Sequence, residues 1–378
     1  MKRLVIPVLL LLLLGSGFVA AQNTAKGRAA RLGAGMNLSY LDNYWNGTRQ
    51  KHYSDFVKPA ELAKRQKMLA DIARAGFKTV RIPICFSAWA SLKAPFDWES
   101  ADGIAAADSL IKWALDDNLN VIVDLHHPEF DGKSFPEAAA TERLTAIWKR
   151  VAERYKSTDP EKVFFELRNE PHAMQPSEWR AQAEELIKTI RQIAPNHTLV
   201  IGFHDWNSRA ALIESEPFRD PNIIYTFHYY DPFVFTHQGA TWAGEGLPEL
   251  KDVPFPWSKE HEIKTPETAA GKWVESQIKD YRKDSQPEKM FEDLKAAQKW
   301  ADEKNVPILL GEFGSFNLRA TPESRCRHAQ TVYEATGKLK IPNVWWEWDG
   351  GFTMFEKGTD KIMECMQTAV NSYTNKLK

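Results

Sequence analysis

Two glutamates stand where a carboxyl group could do acid–base or nucleophilic work. Glu170 closes the stretch Val163-Phe164-Phe165-Glu166-Leu167-Arg168-Asn169 and precedes Pro171, while Glu312 follows Ile308-Leu309-Leu310-Gly311. Cleavage of a glycosidic bond asks for such a pair: one carboxyl kept protonated for the leaving oxygen, the other ionised to attack the anomeric carbon. Burial and a nearby negative charge raise one carboxyl's affinity for its proton, and a neighbouring Arg lowers the other's. Either glutamate alone reads equally well as a strand-end carboxylate paired with Lys or Arg. Two of them, each ending an apolar run among polar partners, carry the chemical reading.

The same grammar recurs along the chain. Apolar runs end in Arg81-Ile82-Pro83, Asp124-Leu125-His126-His127, His228-Tyr229-Tyr230 and Trp345-Trp346-Glu347-Trp348 as well as at the two glutamates. A metal hydrolase would use strand-end histidines, but His126 and His127 are adjacent and on a strand point to opposite faces. The remaining His and Cys spacings match no metal site, so no metal ligand is assigned and His127 is read as a supporting or outward residue.

Something must hold these ends together. Strand-like runs lie near 33–38, 78–84, 119–125, 162–168, 198–203, 223–229, 306–312 and 342–348. Helix candidates lie near 59–75, 100–118, 138–156, 176–194, 207–214, 288–304, 322–338 and 358–374. In 100–118, Ile104, Ala107, Leu110, Ile111, Ala114 and Leu115 recur at three and four, with Asp102, Asp108, Lys112 and Asp116 opposite. Strand alternating with helix eight times predicts a parallel sheet closed as a (β/α)8 barrel, with chemistry at the C-terminal ends of the strands. No repeat or linker divides the chain, so one catalytic domain is expected over 22–378. The stretch 231–286 reads as a long loop after the sixth strand, rich in aromatics (Phe233, Phe235, Trp242, Phe255, Trp257, Trp273) and therefore functional.

Residues 1–21 are set apart from the fold. Lys2 and Arg3 lead into the apolar run Leu4 to Leu14, Gly15-Ser16-Gly17 break it, and Ala20-Ala21 precede Gln22, the pattern of a cleaved secretory signal. The run is about half of what a membrane-spanning helix needs, so a soluble protein in the periplasm or medium is expected. With 49 Lys+Arg against 50 Asp+Glu, there is no electrostatic footprint for nucleic acid. Three cysteines are too few for a disulfide scaffold; Cys326 and Cys365 could pair in an exported protein, and Cys85 reads as a buried small hydrophobe. The 14 Trp exceed what a core needs. Trp113, Trp148, Trp179 and Trp300 fall in helices and read as packing, whereas Trp89, Trp206, Trp242, Trp257, Trp273, Trp346 and Trp348 fall at strand ends or in loops, where rings can stack on sugars. His204-Asp205-Trp206-Asn207 could add polar contacts, with helix capping by Asn207 as the alternative.

Taken in order, these residues resemble glycoside hydrolase family 5, the cellulase family, within the clan of (β/α)8 retaining glycosidases. The likeness covers nearly all of the chain after residue 21; Asn169-Glu170-Pro171 and Glu312 are its most specific elements, supported by Arg81, His126, His228, Tyr230 and a strand-eight Trp. It implies Glu170 as general acid/base and Glu312 as nucleophile, with retention and carboxyls roughly 5 to 5.5 Å apart. It further implies Asn169 on the sugar 2-hydroxyl, Tyr230 and Arg81 holding Glu312 ionised, and His126 and His228 completing the surroundings. A strand-eight Trp would floor the subsite of the cleaved sugar; Trp346 aligns best, and alternation leaves Trp345 open. The resemblance implies a cofactor-free secreted endo-glycosidase on β-linked polysaccharide, foremost β-1,4-glucan. Mannan, xyloglucan, mixed-linkage glucan and β-1,3-glucan stand as alternatives, as do transglycosylation and sugar binding without turnover. A monomer is expected, since the fold has core enough by itself.

Overall fold

The computed structural model describes residues 24–42, 58–126 and 137–377. The expected leader over 1–21 and His127 lie outside them. Eight parallel strands close into a barrel in sequence order: β1 (Ala34–Asn37), β2 (Thr79–Ile84), β3 (Asn120–Leu125), β4 (Val163–Glu166), β5 (Leu199–Ile201), β6 (Ile223–His228), β7 (Ile308–Phe313) and β8 (Asn343–Trp345). β8 closes on β1 through Ala34 opposite Asn343. Every strand residue is buried, as expected of a parallel sheet covered on both faces.

The helices are α1 (24–32), α2 (Pro59–Arg74), α3 (Ala101–Asp116), α4 (Glu137–Tyr155), α5 (Pro176–Ile193), α6 (Arg209–Glu214), α7 (Trp273–Asp284), α8 (Pro287–Lys304), α9 (Pro322–Leu339) and α10 (Glu364–Leu377). α3 starts where the Ser100 hydroxyl accepts from the Gly103 N–H, and it buries Ile104, Ala107, Leu110, Ile111 and Ala114. Gly103 is needed there: a Cβ would come within 2.5 Å of the Trp89 ring. Trp89 is accordingly a core residue and does not line the cleft as its strand-end position had implied.

The inside of the barrel is layered. Ile122, Phe164, Val200, Ile224, Leu309 and Val344 form a dry lower layer, joined from below by Ala29 and Leu32 of α1. Arg28 anchors that helix through Thr198 and Glu161, and the Leu32 carbonyl accepts from Thr79, all at the strands' entry ends. α1 is thus a plug in the end opposite the mouth.

The 231–286 segment is less of a loop than its composition predicts. It holds one helical turn at Phe233–Thr236, two 3-10 turns, and the twelve-residue α7. α7 escapes a periodicity reading because it buries only Val274 and Tyr281. Phe235 and Phe255 are buried with rings 5.3 Å apart, whereas Trp242 and Trp273 stay exposed.

Cys326 on α9 and Cys365 on α10 form a disulfide, and Cys85 is buried and free. The bridge spans 39 residues. Replacing Cys326 by Ala should lower the unfolding free energy by about 3–4 kcal/mol on loop-closure grounds. A urea midpoint equal to that of the oxidised parent would refute this. Among the described residues no helix is long and apolar enough to cross a membrane.

Candidate active site

Above the dry layer the barrel turns polar. Asn37, Arg81, Asp124, Glu166 and Thr226 are all wholly buried, either level with the apolar ring or two residues further along their strands. Arg81 is their hub. Its Nε and NH2 donate to Glu166 Oε2 and Oε1 at 2.7 and 2.9 Å, NH1 donates to Asn37 Oδ1 and Glu312 Oε1 at 2.9 and 2.8 Å, and NH2 also reaches Asn169 Oδ1 at 2.8 Å and Asp124 Oδ2 at 2.9 Å. Burial works against the guanidinium charge, but Asp124, Glu166 and Glu312 outweigh it and hold Arg81 firmly protonated. A buried cation with three anions around it is the arrangement that makes such burial tolerable.

The mouth stands on this floor. Glu312, at the end of β7, accepts from Arg81 on Oε1 and from the Tyr230 hydroxyl on Oε2 at 2.9 Å. Burial, then Glu312 and Glu170, push the Tyr230 phenol well above its ordinary value, so it stays a donor. Glu170 follows β4 with φ 46°, a left-handed conformation that costs a non-glycine residue about 1–2 kcal/mol. Burial raises its carboxyl's affinity for the proton, opposed by His126, His172 and Arg81.

His228 Nδ1 lies 2.7 Å from Glu170 Oε1 and 3.5 Å from Glu312 Oε2. Desolvation first, and Arg81 and His126 after it, press the imidazole down to about 4, so it is neutral at pH 7. Its Nε2 borders Gly311, where a Cβ would meet Thr226 Oγ1 at 2.3 Å; no larger residue fits there without moving this floor. One oxygen each of Glu170 and Glu312 and a ring nitrogen of His228 lie within 4.8 Å of one another. That spacing would suit a divalent cation. However, both Glu312 oxygens already accept hydrogen bonds, from Arg81 and from Tyr230, and a cation there would face the guanidinium.

His126, after β3, donates or accepts at Nδ1 with Asp124 Oδ2 at 2.8 Å. Desolvation opposes its charge, but Asp124 and Asp42 prevail and raise it to about 9, so both ring nitrogens carry protons. Asn169 Nδ2 approaches His126 Nε2 at 3.4 Å. Since Arg81 takes the Asn169 oxygen, the amide NH2 is the end left for a ligand.

The two strand-eight tryptophans differ in surroundings, and Trp346 is the one beside the site histidine. Its ring stacks on His126 with centroids 5.6 Å apart, whereas Trp345 is wholly buried, bonded to the Phe352 carbonyl and packed edge-on against Phe313. Trp348 also turns inward and packs on Phe355, so it leaves the set of cleft candidates. Trp206 stays in it: 53% exposed, it stacks on His172 at 4.9 Å, and the His172 ring bonds the Glu170 carbonyl. Asp205, Trp206 and Asn207 all have positive φ, and Asn207 is buried without capping a helix; Ser208 caps α6 instead. Trp242, 63% exposed, leads through Phe316 and Phe352 to Tyr230.

All eight sequence-selected residues, Arg81, His126, Asn169, Glu170, His228, Tyr230, Glu312 and Trp346, thus converge on one mouth. Asn37, Asp124 and Glu166 beneath it, and Asp42 and Glu347 beside it, carried no role in the sequence reading. Glu347 is buried, which together with Asp42 raises its carboxyl to about 8. Glu166 did leave a signal, a carboxyl directly after the apolar run Val163-Phe164-Phe165 and four residues before Glu170, where burial calls for a cation or a proton.

Comparison with known proteins agrees with this geometry. A family model described as Cellulase (glycosyl hydrolase family 5) matches residues 39–351. Endoglucanase 3 of Fibrobacter succinogenes is 32% identical over 354 residues, 88% of this chain and 53% of that protein, so the chain spans about half the relative's length. Endoglucanase C of Acetivibrio thermocellus is 27% identical over 83% of this chain and 90% of its own. The crystal structure of endoglucanase Cel5A from the hyperthermophilic Thermotoga maritima superposes with a TM-score of 0.74 at 28% identity, covering 92% of this chain and 99% of that one.

Proposed function

Because the chain belongs to glycosyl hydrolase family 5, the cellulases, we propose that it is an exported endo-β-1,4-glucanase acting with net retention through Glu312 and Glu170. The observation that carries this reading is the approach of one oxygen of each carboxylate to within 4.8 Å. So close an approach fits the carboxyl separation of roughly 5 to 5.5 Å at which a nucleophile and an acid/base retain configuration better than the wider separation of roughly 6.5 to 9.5 Å that inversion uses. The endoglucanase names of the similar proteins favour β-1,4-glucan as the polymer.

The steps follow from the contacts. Glu312, oriented by the hydrogen bonds it accepts from Arg81 and Tyr230, attacks the anomeric carbon as Glu170 protonates the departing oxygen. For that proton to face substrate it must sit on Glu170 Oε2, so neutral His228 is assigned as the Nδ1–H tautomer donating to Oε1. The ionised Glu170 then takes a proton from water, which attacks the same carbon and frees Glu312. Asn169 donates to the sugar 2-hydroxyl, His126 Nε2–H to a neighbouring hydroxyl, and Trp346 floors the glycone.

Reducing-sugar release across carboxymethyl cellulose, mixed-linkage β-glucan, xyloglucan, glucomannan, mannan and β-1,3-glucan tests the substrate. Activity confined to a polymer without β-1,4-glucosyl bonds would overturn it. Polymer kcat/KM should fall on the alkaline side as Glu170 loses the proton that burial helps it keep. A dinitrophenyl cellobioside, whose leaving group needs no proton, should lack that alkaline limb in kcat/KM. The same limb with both substrates would sink the assignment of Glu170 as acid. Export through residues 1–21 is tested by the N-terminus of the protein recovered outside the cytoplasm, expected at Gln22. Action as a monomer is tested by its mass in solution.

A further inference from the structure

Glu166 has no part in the two steps above. It is wholly buried a layer below the mouth. Both its oxygens accept from Arg81, at 2.7 and 2.9 Å, the side-on fork that fixes a guanidinium in position and in rotation. The remaining Arg81 contacts run from NH1 to Glu312 and Asn37 and from NH2 to Asn169 and Asp124, so the fork bears directly on the nucleophile. Charge counting makes the carboxylate conspicuous. Arg81 and a protonated His126 balance Asp124 and Glu312, which leaves an ionised Glu166 as an uncompensated negative charge in a dry interior, a costly thing to retain.

We propose that Glu166 is a positioning residue which, through the Arg81 fork, sets the orientation and the ionisation of Glu312 without ever touching substrate. The proposal rests on Glu312 being the nucleophile. With Glu166 ionised, Arg81 is shared among three carboxylates, and the surplus negative charge lies beneath the carbon where positive charge grows in the transition state. With Glu166 protonated, one oxygen turns its O–H towards Arg81's donors, the fork loosens, and the guanidinium charge falls on Asp124 and Glu312. Burial, then Asp124 and Glu312, raise the Glu166 carboxyl to about 7 against the pull of Arg81. The clamp is therefore complete above that pH and released below it. Facing Glu166 are Arg81 from β2, Asp124 from β3 and Glu312 from β7. His126, His228 and Glu170 stand one layer up, and β5 offers Val200 at the paired position.

The test is the pH dependence of inactivation by 2,4-dinitrophenyl 2-deoxy-2-fluoro-β-cellobioside. A Glu312 oxygen bonds to the anomeric carbon and dinitrophenolate leaves with the electron pair of the broken bond, needing no proton from Glu170. The fluorine slows hydrolysis of the adduct, so the rate reads attack by Glu312 alone. In the unaltered protein the acid limb should fall in two linked steps. In Glu166→Gln it should collapse to one step, displaced to lower pH by roughly one unit. Its maximal rate should drop about tenfold, because Gln offers Arg81 one acceptor instead of two. A single step in the unaltered protein, or an unmoved limb in the variant, would overturn the proposal. Should Glu166→Gln not fold, the unaltered profile still decides. Peptide mapping separates the remaining case: no label, or a label away from Glu312, overturns the nucleophile assignment and this proposal with it.

Discussion

Glu312→Gln should lower kcat on cello-oligosaccharides by on the order of 10⁵-fold, a barrier increase of about 7 kcal/mol. The amide cannot form the glycosyl ester, and among the described residues no other side chain at the mouth is placed to replace it: Glu170 lies on the leaving-group side and Tyr230 is a phenol held in its donor form. The fold should survive. Gln can turn its oxygen to Arg81 NH1 and its NH2 to the Tyr230 hydroxyl, which then accepts, so neither buried partner is orphaned. Calorimetry should find cellotetraose bound about as tightly as by the parent, since the loss belongs to the transition state. Residual turnover above about 1% of the parent, with contamination excluded, would remove Glu312 from the nucleophile's role.

Glu170→Ala should separate the two halves of the reaction. On polymer, whose leaving oxygen needs a proton, kcat should fall about 10²–10⁴-fold. On dinitrophenyl cellobioside the first step should proceed at near the parental rate and the covalent intermediate should accumulate, because no base activates water. Azide, small enough for the space the carboxyl vacates and in no need of a base, should restore turnover and yield a β-glycosyl azide. An α-azide would mean inversion, and rescue without any azide product would mean that Glu170 is not the base. His228 loses its partner in this variant, so some loss of thermal stability is expected beside the chemical effect.

What the chain revealed in advance follows from the range of the interactions concerned. Strand and helix periods are local, and eight of each were readable; so were the residues at strand ends, because apolar-to-polar boundaries are local as well. The polar floor was not. Arg81 and Glu166 are 85 positions apart, and nothing near either one names the other. Asn37 and Asp124 look like ordinary polar residues until the pairing of β2 with β1 on one side and β3 on the other brings them around the same guanidinium. The misplaced tryptophans have the same origin. Trp89 and Trp348 stand at strand ends exactly as much as Trp346 does in the chain, and only Gly103 beneath one ring and Phe355 beside the other turn them inward. α7 stayed unread because two buried residues in twelve leave almost no apolar period.

The plug formed by α1 decides how this protein should be fastened to a surface. Its helix enters the barrel at the strands' starting ends, tied by Arg28 to Glu161 and Thr198 and by Leu32 to Thr79, while all reacting groups open at the far end. A tether joined ahead of residue 24 would leave from the closed base and hold the molecule with its cleft turned away from the support. Beads carrying it that way should digest a dissolved polymer at nearly the rate of free protein, whereas coupling through Lys272, beside the exposed Trp273, would lay the working face against the bead.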